Sequence, residues 1–129
     1  MNKPETLLRR VRLELARDHD FPNGSAERGY EFIAPLDPKG HIDLEAWKVL
    51  RERCRVRRFW VNEPDEVGHI VHKRGGTWAF HYDIHGDPSH DETGFRLDAH
   101  TFIPGEYISI KEQDEVLRTF RVLWVREIT

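Results

Sequence analysis

A single cysteine, Cys54, stands in a chain of 129 residues, so an intrachain disulfide is excluded and the fold must rest on a packed core. One lone thiol also suits a reducing compartment, and the cytoplasm is the expected location. No apolar run approaches the roughly 18 residues that a membrane-spanning helix requires. Arg9, Arg10, Arg12 and Glu14 interrupt the early leucines, which leaves no apolar core for a signal peptide. There is no P-loop, no G-x-G-x-x-G, no G-x-S-x-G and no H-E-x-x-H, so the common nucleotide-binding, hydrolase and zinc-protease motifs are absent. Internal repeats and low-complexity tracts are missing as well.

What the chain does have is enough apolar material for one domain. Hydrophobic residues make up 38% and aromatics 11%, with Trp47, Trp60, Trp78 and Trp124 as candidate anchors. A domain of this size buries roughly two-thirds of the surface its unfolded chain exposes, which suffices without metal or disulfide. Residues 1-129 are therefore read as a single domain. The net charge of -3 conceals segregation. From Lys48 to Arg58 six residues are basic and only Glu52 is acidic, whereas Asp83 to Glu92 carries four acids and no Lys or Arg. Such bipolarity steers partners, and it allows a homodimer in which the acidic loop of one copy meets the arginine run of the other.

The patterning is that of a mainly-β chain. Leu7 to Arg17 fits a helical face and also alternates; the strand is preferred, because Leu13 sits badly on the helix and Tyr30 to Ala34 offers a partner. Pro22, Asn23, Gly24 and Ser25 mark a loop between them. Asp43 is placed to cap a single helix over residues 44-54, whose stripe is Leu44, Ala46, Trp47, Leu50 and Cys54. Further strands are expected over Arg55 to Val61, on both sides of Gly75-Gly76, over Phe95 to Phe102, and over Tyr107 to Lys111 with Val116 to Val125. Asn62 to Glu66 reads as a polar turn. About eight short strands at regular spacing point to a single-domain antiparallel β-barrel or two-sheet sandwich. The expected core is Phe32, Leu44, Trp47, Leu50, Val71, Trp78, Phe80, Tyr82, Ile108, Ile110, Phe120, Val122 and Trp124.

The hairpin from Gly68 to His85 supplies the first candidate site. With Gly75 and Gly76 as the two loop residues, His72 faces Ala79 and Ile70 faces His81. Alternation then sets Val71, Trp78, Phe80 and Tyr82 on the core face and His72, His81, Asp83 and His85 on the other. His100, in the following strand, would add a third imidazole. Imidazole and carboxylate on one sheet face suit a divalent transition metal such as Zn, Fe or Mn. A cupin-like, metal-dependent enzyme is the corresponding activity, although the H-x-H spacing with a downstream Glu is not reproduced. The bland alternative is a solvated sheet face.

The second candidate is the basic-aromatic run of Arg51, Arg55, Arg57 and Arg58 beside Phe59 and Trp60. Small β-barrels bind single-stranded nucleic acid through this combination. The net negative charge and the lack of a basic tail weigh against nucleic acid here. Cys54 falls on the apolar helix stripe and reads as a small core residue.

Two resemblances follow from particular motifs. Thr101 to Ile110 looks like the P-G-[QE]-[YF]-[VI]-S-[IL] strand of ferredoxin-reductase-type flavin barrels. The Arg-x-Tyr-Ser flavin motif and the pyridine-nucleotide domain of that family are missing, so the likeness implies only a shared Pro-Gly turn into an alternating strand. More broadly, Gly40-His41-Ile42-Asp43, Arg58-Phe59-Trp60, Gly75 to Asp83, Pro104 to Ile110 and Thr119-Phe120-Arg121-Val122 resemble a family of small bacterial proteins with no assigned activity. That resemblance implies a cytoplasmic protein and no mechanism. The leading expectation is a small binding or accessory module that acts through a partner protein or a small ligand.

Overall fold

The computed structural model describes residues 7–73, 78–83, 92–95, 101–112 and 114–128, with Leu7 and residues 92–95 described by their backbone. These residues form one antiparallel sheet curled into a barrel. Its strands are β1 (Leu7–Leu15), β2 (Ser25–Leu36), β3 (Arg55–Trp60), β4 (Glu63–His72), β5 (Trp78–Tyr82), β6 (Glu92–Phe95), β7 (Tyr107–Lys111) and β8 (Leu117–Glu127). Each strand pairs with the next, and β8 returns to β1 to close the barrel. Among the described residues the thinnest seam is β5–β6, held by Ala79 opposite Thr93 and Phe80 opposite Glu92.

Alternation dictates the inside. Val11, Leu13 and Leu15 of β1, Tyr30, Phe32 and Ala34 of β2, and Ile108, Ile110, Phe120 and Val122 of β7 and β8 are all buried, as inward residues of a small barrel must be. Aromatic rings fill the middle: Tyr30 packs on Phe80 and Phe120 at centroid separations of 5.2 and 5.1 Å, and Phe32 packs edge-on against Phe102 at 5.2 Å. The outside carries Arg12, Glu31, Arg57 and Asp65 in salt bridges. An apolar interior under a charged exterior is the reverse of a membrane-spanning barrel, and no helix among the described residues is long and apolar enough to cross a membrane.

One barrel end is covered by α1 (Leu44–Leu50). Asp43 caps it by accepting from the Ala46 amide at 3.1 Å. The helix is shorter than the expected 44-54: Arg51–Arg53 tighten into a 3-10 turn, and Cys54 already leads into β3. Trp47 donates its indole N–H to the Ile70 carbonyl at 3.1 Å and stands edge-on to Trp78 at 5.2 Å. That contact ties the helix to the barrel rim.

The opposite end is covered by the connector between β1 and β2. Phe21 sits edge-on to Trp60 at 6.1 Å. Arg118 bridges to Asp18 at 3.0 Å and to Asp20 at 3.2 Å. Below them Glu112, only 5% exposed, accepts from the Tyr30 hydroxyl at 2.5 Å and from Arg58 Nε at 3.3 Å. A buried carboxylate persists only when paired and hydrogen-bonded in this way.

Several boundaries differ from expectation. The β3–β4 turn is only Val61-Asn62, with Asn62 in the left-handed region at φ 66° and Trp60 opposite Glu63; Glu63 to Glu66 belong to the strand. β6 lies at Glu92–Phe95, ahead of the expected Phe95 to Phe102, and Thr101 to Ile103 are not strand. Val71 and Trp124 are half-buried and not core, because the β4–β5 register and a shift in β1–β8 pairing between Arg12 and Leu13 turn them outward. Leu44 and Leu50 are likewise only half-buried.

Candidate functional site

The β4–β5 hairpin is out of step with the two-residue-loop expectation by one residue. Its last pair is His72 opposite Trp78, followed inward by Ile70 opposite Phe80 and His69 opposite His81. Gly68 is what this register demands. A Cβ there would come within 1.9 Å of the His81 carbonyl oxygen, so only glycine permits this approach opposite Tyr82. Since side chains alternate with period 2, a one-residue slip exchanges faces. His72 therefore turns to the core side, where its ring lies 4.6 Å from Trp78 and 6.1 Å from Trp47. His69 takes its place beside His81 and Asp83 on the outer face. His85 and His100 lie outside the described residues.

That outer face forms a closed network. Arg55 donates to Asp83 at 3.2 Å and to His69 Nε2 at 3.1 Å, and His69 Nδ1 lies 3.1 Å from the other Asp83 oxygen. A guanidinium only donates, so Nε2 accepts and the ring proton sits on Nδ1, donated to Asp83. Both nitrogens of His69 are thus engaged. Among the described residues no group of three His, Cys, Asp or Glu side chains is arranged to hold a metal.

The arginine run is dispersed by the same alternation. Arg55 belongs to the histidine face. Arg57 points outward between Asp65 at 2.8 Å and Glu31 at 3.3 Å. Arg58 points inward to Glu112 and stacks 4.4 Å from Trp60. Arg51 lies over the Trp47 ring at 5.8 Å. Phe59 is buried beneath Arg12 and Arg57, at 4.3 and 5.2 Å. These cations already have partners, and they do not share one surface. Cys54 is buried, and burial pushes its thiol up to about 11 against the pull of Arg53, which keeps it protonated and inert at neutral pH.

A different feature is concave. The β1–β2 connector stands against the outer face of β8 and leaves an open cleft of about 760 Å³, lined among others by Ala16, Arg17, Ser25, Tyr107, Thr119 and Arg121. The Ala16 amide donates to the Thr119 carbonyl at 3.0 Å and forms its floor. The connector is held by the Arg118 bridges to Asp18 and Asp20, by Asp18 and Phe21 exchanging backbone hydrogen bonds at 3.0 Å, and by the Gly24 amide donating to the Phe21 carbonyl at 2.9 Å. Its wall is consequently preformed. Tyr107, 55% exposed, stands at one side, with Leu117, 57% exposed, further along the same outer face.

Sequence patterning did not single out this cleft, since its residues follow no common pattern and are scattered over four segments. The buried cluster was more accessible: Arg28, Arg58 and Arg118 stand at core-parity positions beside Tyr30, Val56 and Phe120, and a charged residue on an apolar stripe signals an internal partner. No family model matches this chain, and no curated protein and no solved structure matches it either.

Proposed function

We propose that this chain is a small ligand-binding barrel, an accessory module of the cytoplasm that works by taking a small molecule into the cleft between the β1–β2 connector and β8. The observation that carries this reading is the cleft, whose wall is fixed by the Arg118 bridges to Asp18 and Asp20. Its volume lies within the roughly 300–1,000 Å³ typical of ligand sites. A preformed wall also spares a ligand the entropy of ordering a loop. The barrel interior is occupied by aromatic rings, which directs binding to the exterior.

A small ligand is favoured over a large protein partner by the placement of exposed apolar residues. Among the described residues Val49 on α1, Val67 on β4 and Ile103 before β7 are scattered. Tyr107 on β7, with Val116 and Leu117 around the start of β8, lies beside the cleft itself, so the exposed apolar surface that is gathered belongs to the cleft's rim. The metal-dependent reading would require a metal to displace Arg55 from His69 and Asp83. The nucleic-acid reading would require arginines that are already neutralised by Glu31, Asp65 and Glu112 to face phosphate.

The test is an amide chemical-shift titration of the labelled chain with a fragment set of neutral, cationic and anionic rings. Shifts gathered at Ala16, Arg17, Ser25, Tyr107, Thr119 and Arg121 support the reading. Shifts gathered instead at His69, His81 and Asp83, or an absence of shifts with the whole set, contradict it.

A further inference from the structure

Arg10, Arg51, Arg53 and Arg126 have no carboxylate within 4.0 Å among the described residues, and Arg17 and Arg121 share that state while lining one concavity. Arg9, Arg12, Arg55, Arg57, Arg58 and Arg118 each hold a carboxylate within 4.0 Å. Arg17 and Arg121, both exposed, line the cleft from opposite walls, and neither has a carboxylate partner among the described residues. Among the described residues the one acid of the lining is Glu14. It stands across from Arg121 in the β1–β8 pairing, yet its carboxylate is turned to Arg12 at 2.7 Å. The cleft therefore keeps two uncompensated guanidinium groups beside the hydroxyls of Ser25 and Thr119 and the ring of Tyr107.

On the reading that this cleft is the binding site, we infer that its ligand is a phosphate monoester carrying a planar ring, of mononucleotide size. A planar carboxylate is saturated by one bidentate arginine, whereas a tetrahedral phosphate presents three acceptor oxygens and accommodates forks from two sides. Arg17 and Arg121 take the phosphate. Ser25 Oγ already accepts from the Glu27 amide at 3.2 Å and from Arg28 at 3.1 Å, so it has its proton to donate, with Thr119, to the hydroxyl-bearing middle of such a ligand. Tyr107 provides the stacking face, since an exposed aromatic beside a cationic groove binds ring systems without reading their identity.

The experiment is calorimetric titration of the full chain with adenosine monophosphate, adenosine, inorganic phosphate and a single-stranded oligonucleotide. Adenosine monophosphate is expected to bind more tightly than either of its parts. Arg121→Gln should weaken it by roughly 10- to 100-fold, as loss of a charge-assisted pair does. Tyr107→Leu should weaken the nucleotide and leave inorganic phosphate unchanged, while Arg53→Gln, an exposed arginine outside the cleft, leaves all affinities unchanged. Equal binding of adenosine and its monophosphate overturns the anion assignment and leaves the cleft reading standing. Nucleotide binding insensitive to Tyr107→Leu overturns the ring assignment. Oligonucleotide binding that responds to Arg57→Gln and not to Arg121→Gln overturns the inference in favour of a nucleic-acid surface. No binding of any probe, while neutral fragments still shift the cleft amides, overturns the inference alone.

Discussion

Arg118, on the inward side of β8, places its guanidinium 3.0 Å from the carboxylate of Asp18, exactly one hundred positions back in the β1–β2 connector. The same guanidinium reaches Asp20 at 3.2 Å and has its Nε 3.5 Å from Glu112. One side chain thus ties the buried carboxylate at the barrel end to the segment that walls the cleft. The packing of the barrel end and the position of the cleft wall are coupled through it.

Arg118→Met should accordingly lower stability by about 3 kcal/mol, because it removes the cation from the largely buried Asp18 and leaves Glu112 with Arg58 alone. The denaturant midpoint measures this. The cleft amides should broaden in the same variant as the connector loosens, and unchanged cleft resonances would show that the connector is held by other contacts.

Acid should act through Asp18. Burial works to raise its carboxyl, but the Asp20 amide and the Arg118 guanidinium outweigh burial and hold it below its ordinary 3.8. The folded value lies under the unfolded one, so this stabilisation is whole above about pH 4 and is lost as pH falls through the folded value. The expected result is a shallower acid limb of the stability profile in Asp18→Asn. An acid limb identical to the wild type would locate the acid sensitivity elsewhere.

Cys54 should resist modification. Its folded value near 11 exceeds the ordinary 9.0, so the protonated thiol contributes stability that is full below about pH 9 and declines as pH climbs towards the folded value. At pH 8 a thiol reagent should react at the rate of unfolding and be accelerated by denaturant. Rapid stoichiometric labelling of the native chain would contradict the burial of this residue.

Gly68→Ala should be far more harmful than an average alanine substitution. The new methyl group would lie 1.9 Å from the His81 carbonyl and 2.7 Å from the Tyr82 Cα, both backbone atoms that do not yield without moving β5. A loss of about 1–3 kcal/mol or more is expected, as for other overpacked sites. A shift of the midpoint within error of wild type would mean that β4 and β5 are further apart.

Much of this barrel is legible in residue order. Alternation in Leu7 to Leu15 and Tyr30 to Ala34, the Asp43 cap, and the Pro104-Gly105 turn are local signals, and they lead to β1, β2, α1 and β7. The turn is explicit: Gly105 takes φ 97° and the Glu106 amide donates to Ile103 at 3.0 Å, the type II pattern that needs glycine at its third position. The hairpin register was not legible. Gly75-Gly76 is a strong two-residue signal, but pairing is decided by long-range fit: Trp78, Phe80 and Tyr82 must point inward, and the backbone of β5 must press on Gly68. One residue of slip moved His72 off the histidine face and brought in His69. The cleft was illegible for another reason. It depends on where Ala16 to Gly24 stands relative to Tyr107 and Arg121, which are distant in sequence and carry no shared motif.

The most direct measurement compares fragment-induced amide shifts in the wild type with those in Thr119→Trp, a variant that fills the cleft from the outer face of β8. The account predicts shifts at Ala16, Arg17, Ser25 and Arg121 in the wild type, and their disappearance in the filled variant while its barrel spectrum persists. Shifts that survive unchanged in Thr119→Trp, or that fall on His69, His81 and Asp83, would contradict the assignment of the cleft as the binding site.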